Sequence, residues 1–158
     1  MSMKIFYTLR VLIISFEALL LAVAGLVWVR FHGVLQAFAT SLELNQEVLK
    51  YLMFLPSAIA VWVINECRVL LQDETNTVRL LTLWDDYWRL KTHVWVALFY
   101  AVTFTLVSLL PWTVKSGIST GTGLLLFVIS ILGQLVLAAS VYAARIRVKE
   151  FLVHAKAP

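Results

Sequence analysis

The chain has one cysteine, Cys67, among 158 residues, which excludes an intrachain disulfide and any multi-cysteine metal or redox centre. That thiol is expected to be free and reduced. Charge is also scarce, at 14% of residues against 61% hydrophobic, whereas soluble domains carry about 25% charged residues. A water-soluble fold is not expected from this balance. Catalytic signatures are missing as well. His32, His93 and His154 lie on separate segments, with no i, i+4 pair to hold a metal and no paired histidines for haem. No nucleophile elbow and no phosphate-cradling glycine loop occurs, and the adjacent Asp85 and Asp86 diverge around a helix, a poor geometry for a two-carboxylate catalyst. Neither enzyme activity nor a metal or cofactor is expected.

What is present is apolar and continuous. The runs Val11 to Val29, Val48 to Ile64, Val94 to Trp112 and Gly123 to Ala144 each approach the roughly 17 to 25 residues that carry a helix across about 30 Å of hydrocarbon. Barrel strands would alternate over about 10 residues, so helices are the expected spanning elements. The expected fold is a single all-α domain over 1–158 with transmembrane helices at about 8–29, 48–71, 93–112 and 122–145. A small-x-small pattern at Ala22-Val23-Ala24 resembles a signal-peptide cleavage site, but the apolar run continues to Val29 and Glu17 interrupts it.

Basic residues set the orientation. Lys4, Arg10, Arg68, Arg79, Arg89, Lys91, Arg145, Arg147, Lys149 and Lys156 fall on one side, and Arg30, Lys50 and Lys115 on the other. The excess places both termini and the central connection in the cytoplasm, and the setting is expected to be a bacterial inner membrane. The formal charge of +4 follows from residues that orient spans and meet anionic lipid, so nucleic acid is not an expected partner. Trp28, Trp95 and Trp112 near span ends fit rings held at headgroup level.

The connections differ in kind. Between the first and second spans, Val34, Leu35, Phe38 and Leu42 recur at helical spacing and predict a short helix on the outer surface. Glycines at 117, 121 and 123 predict a tight outer turn before the fourth span. The inner connection, Asn65 to His93, is long and densely charged, and its spacing predicts a cytoplasmic helical extension that breaks near Asp73-Glu74-Thr75-Asn76 and returns into the third span. Pro56 predicts a bend in the second span, with the carbonyl of Leu52 released.

Three groups of residues can carry function. Glu17 is the one ionisable residue well inside a predicted span, where an ionised acid costs about 2.5 to 3.5 kcal/mol, so it should face other helices or water. Gln134, Ser140 and Tyr142 of the fourth span lie at comparable depth. A buried hydrogen-bonded acid and an ion or proton site are both open readings. Asn65, Glu66 and Arg68 end the second span opposite Arg89, Lys91 and His93 at the start of the third, an arrangement for a cytoplasmic salt-bridge network that is either a hairpin clamp or a gate. Trp84, Asp85, Asp86, Tyr87 and Trp88 form the most distinctive string, read as an interfacial anchor or as a partner surface.

The acid in the first of four short helices resembles small multidrug-resistance transporters, whose first-helix glutamate exchanges protons for cationic drugs. The resemblance rests on Glu17, while the long inner connection and the outer helix depart from that compact pattern. Four-helix colicin immunity proteins are similar in size and layout. The leading expectation is a non-enzymatic sensor or scaffold in the lipid bilayer, homo-oligomeric, presenting its cytoplasmic face to a protein partner, with phage or toxin defence as one fitting role. An oligomeric ion channel, with Glu17 or the Thr103, Thr105 and Ser108 row around a pore, is the second. A proton-coupled small-molecule transporter using Glu17 is the third.

Overall fold

A computed structural model describes residues 2–42, 51–52, 54–72, 84, 86–113, 117 and 120–156. Among these residues the structure is entirely helical. The elements are α1 (Ser2–Ile13), α2 (Phe16–Ser41), α3 (Phe54–Gln72), α4 (Tyr87–Thr113) and α5 (Gly121–Lys156). The last four are long and apolar enough to cross a membrane. The helical return expected before Trp84 lies outside the described residues.

The first span is not one straight helix. After Ile13 the chain breaks at Ile14 and Ser15, and Ser15 adopts an extended backbone, with φ −103° and ψ 158°. Its hydroxyl accepts from Ala18 N at 3.1 Å and donates to Leu12 O at 3.3 Å, so one side chain closes α1 and caps α2. The carbonyl of Leu12, left over by the break, also accepts from the Tyr100 hydroxyl of α4 at 2.6 Å. Tyr100→Phe is therefore expected to lower stability by about 1 kcal/mol and to raise hydrogen exchange across α1 selectively. Exchange that rises equally in α3 would contradict this local role.

At its other end α2 runs on past Arg30, bends at Phe31 (φ −123°, ψ 20°) and continues to Ser41. The outer segment expected as a separate short helix is thus joined to α2. Its placement comes from α5. Gln36 Oε1 accepts from Gly121 N at 2.9 Å, and Trp28 Nε1 donates to Thr122 Oγ1 at 3.2 Å. A β-carbon on Gly121 would stand 2.5 Å from the backbone nitrogen of Gln36, so glycine is what lets the two backbones approach.

The core is a set of matching seams. In α4 a buried row runs Leu90, Val94, Ala97, Ala101, Phe104, Ser108 and Pro111, alternately four and three residues apart, with Val96 and Tyr100 buried beside it. In α3 Ala60, Val63, Cys67 and Leu70 repeat that spacing, and in α5 Ser130, Gln134, Leu137 and Val141 do the same. This is the spacing that keeps a helix face turned to its neighbours in a bundle. Cys67 is a free thiol within this core. Helix α5 packs on α2, α3 and α4, and its 36 residues make it about 54 Å long, well beyond the thickness of hydrocarbon. Pro56 is buried within α3, and the bend expected beside it adjoins Met53, which lies outside the described residues.

Candidate functional site

The salt bridges and cation–π contacts among the described residues all lie at one end of the bundle, where α3 stops, α4 starts and α5 finishes. We call this the basal end. The reason is sequence register. Leu90 and Val94 face the core of α4, so Arg89 and His93, each one residue earlier, stand on the flank beside it. Ser140, Ala144 and Arg147 run alongside the buried Val141 and Val148 of α5 in the same way. The two flanks border a groove of about 560 Å³, closed further by Tyr7 of α1, Phe16 of α2 and Trp84.

Aromatic and charged groups brace its walls. Arg89 pairs with Asp86 at 3.0 Å, and its guanidinium carbon lies 5.9 Å from the Tyr7 ring centre and 5.6 Å from that of Trp88. Tyr7 meets Trp88 edge-on at 4.9 Å, which ties α1 to the start of α4. Trp84 stacks on Phe151 at 5.0 Å, tying the approach to α4 onto the end of α5. A hydrogen bond of 2.9 Å joins His93 Nε2 and Ser140 Oγ across the groove. Arg147 lines it too and, among the described residues, makes no salt bridge.

The residues singled out in the sequence are distributed differently from one continuous network. Glu66 pairs with Arg145 of α5 at 2.7 Å, not with a residue at the start of α4. Asn65, Arg68 and Lys91 are exposed, while Arg89 and His93 line the groove. Asp85 lies outside the described residues. Trp84 and Trp88 are both engaged within the chain, and Asp86 and Tyr87 are half-buried beside them.

Glu17 stands in the first turn of α2, two residues after the capping Ser15. An acid there is favoured by the positive end of the helix dipole. It is 8% exposed, and among the described residues its side chain makes no hydrogen bond or ion pair. Counting along antiparallel α2 and α5 from the Gln36–Gly121 contact puts Glu17 level with Ser140, both 19 residues away. Neither Ser140 nor Gln134 is its hydrogen-bond partner.

Gln134 serves α4 instead. Its Nε2 donates to Ala101 O at 2.9 Å and to Thr105 Oγ1 at 3.1 Å, and its Oε1 is buried without a partner. The threonine and serine row of α4 turns its hydroxyls back on its own helix, Thr103 to Phe99 O, Thr105 to Ala101 O and Ser108 to Thr105 O. Ser108 is buried within the single chain. The sequence reading missed Tyr7, Phe16, Tyr100 and the partnership of Arg145. Each acts across a large sequence separation, and no local spacing announces such contacts.

Comparison with protein-family models, with curated proteins and with solved structures finds no match to this chain.

Proposed function

We propose that the chain is a non-enzymatic integral membrane protein, a homo-oligomeric sensor or scaffold that offers its basal end to a partner protein. In this reading the basal end is cytoplasmic, both termini lie inside, and the membrane is a bacterial inner membrane. The observation that carries it is the set of charged and aromatic contacts that brace one groove at that end. Helix α3 ends and α4 begins there, so a change at the groove is positioned to reach both helix ends. Long helices with apolar outer faces suit a protein that acts through assembly.

The test is the mass of the intact assembly extracted with its native lipids. A defined multiple of the 17.9 kDa chain, alone or with a second protein at fixed stoichiometry, is expected. A single chain with no companion overturns the proposal.

A proton-coupled transporter is the second reading, favoured by the burial of Glu17 with no side-chain partner among the described residues. It predicts that a lipophilic cation such as tetraphenylphosphonium drives proton movement in proteoliposomes, and that Glu17→Gln abolishes it. Equal signals from the two proteins sink this reading. If Glu17 serves only the helix end, the same substitution costs roughly 0.3–1 kcal/mol of stability.

A further inference from the structure

The basal groove combines charge and apolar surface in an order that matches one class of ligand. We propose that it binds the phosphodiester headgroup of an acidic phospholipid. The proposal deepens the sensor reading by giving its groove a ligand, and rests on that reading for the cytoplasmic placement of the groove and for the step from binding to signalling.

Position comes first. Phe16 lines the groove and is 76% exposed, so the groove is continuous with the outer surface that the bundle turns to lipid. Along α5 its lining runs from Arg147 to Ser140, seven residues or about 10 Å. That is the depth from a headgroup to the first part of the acyl chains. Basic pockets between helices at the cytoplasmic face are where anionic headgroups bind.

Charge comes second. Arg89, Arg147 and Asp86 leave one positive charge when His93 is neutral, the complement of a phosphodiester monoanion. Asp86 occupies one terminal nitrogen of Arg89, and a guanidinium has about five N–H donors, so others remain for phosphate oxygens. The Tyr7 and Trp88 rings stand beside that guanidinium. Arg147, without a salt bridge among the described residues, is the second cation. The apolar side, formed by Phe16, Leu90 and Ala143, suits a glycerol backbone and the start of an acyl chain. Free phosphate shares the oxygen chemistry but has no use for that side.

The experiment is native mass spectrometry of the purified full chain, titrated separately with phosphatidylglycerol, phosphatidylcholine and inorganic phosphate. The expected result is a phosphatidylglycerol adduct about tenfold tighter than the phosphatidylcholine adduct, weakened about tenfold by Arg147→Gln and largely kept by Arg147→Lys. Ala143→Trp fills the groove without altering its charge and should remove the same adduct. Equal retention of the two lipids, or unchanged binding in both the Gln and Trp variants, overturns the proposal. Phosphate binding that depends on Arg147 while the lipid does not bind assigns the groove to free phosphate and overturns the lipid. Loss of specific lipid with the oligomer mass intact refutes this inference alone, and a companionless single chain that keeps the lipid refutes the sensor reading alone.

Discussion

Gly133→Ala is expected to destabilise the bundle by about 2–3 kcal/mol, the upper part of the range for overpacking. A β-carbon at Gly133 would overlap the ring of Phe104, and that ring is fully buried. Retreat is barred on each side, since Phe104 sits in the α4 seam between Ala101 and Ser108, both also buried. Densely packed interiors move their side chains only at a cost. The remedy identifies the cause. Phe104→Leu removes the obstructing ring edge, so the double variant Gly133→Ala/Phe104→Leu should be more stable than the sum of the single changes predicts. Thermal melting of the four proteins in one detergent measures this coupling. A Gly133→Ala protein that melts like the unaltered chain would mean that α4 and α5 do not meet at this level.

That same contact shows which parts of the fold could be read from the sequence. Four continuous apolar runs led directly to an all-helical membrane architecture, because hydrocarbon leaves few other ways to satisfy the backbone. Nothing local in the sequence links Gly133 to Phe104, so their close approach could not be read there. The break in the first span was legible in principle. Ser15-Phe16-Glu17 is a capping residue followed by an acid in the first turn, the usual opening of a helix. Continuous apolarity on both sides masked it, because hydropathy averages over a turn that capping resolves.

Glu17 changes character with that break. In an unbroken span it is an acid in mid-helix, whereas after Ser15 it is an acid at the positive end of a helix. The groove was less accessible still. Its walls come from α1, α2, α4 and α5, and residues such as Tyr7 and Arg147 acquire meaning only when those helices are placed together. Charge in the inner connection suggested partners near in sequence. The bundle instead joins Glu66 to a residue on its central helix, 79 positions away.

Arg145→Gln tests that long-range pair and has the other large expected effect. Removing one member of a fully buried ion pair costs about 3–5 kcal/mol, because the remaining charge is left without compensation. Here the side chains of Arg145 and Glu66 are 35% and 17% exposed, so water reduces the loss to about 2 kcal/mol. Glu66→Gln combined with Arg145→Gln should recover most of it, since two neutral amides carry no stranded charge and can still hydrogen-bond. The consequence extends to the groove. Helix α5 carries Arg145 against α3 on one flank and Ser140 and Arg147 into the groove on another. Releasing α5 from α3 at this level should therefore weaken acidic-phospholipid binding in Arg145→Gln, and the double variant should restore it. Weak binding that persists in the refolded double variant would instead show that Arg145 contributes its charge directly to the lipid. Melting temperature and lipid adducts measured on the same three proteins separate a structural clamp from a second binding cation.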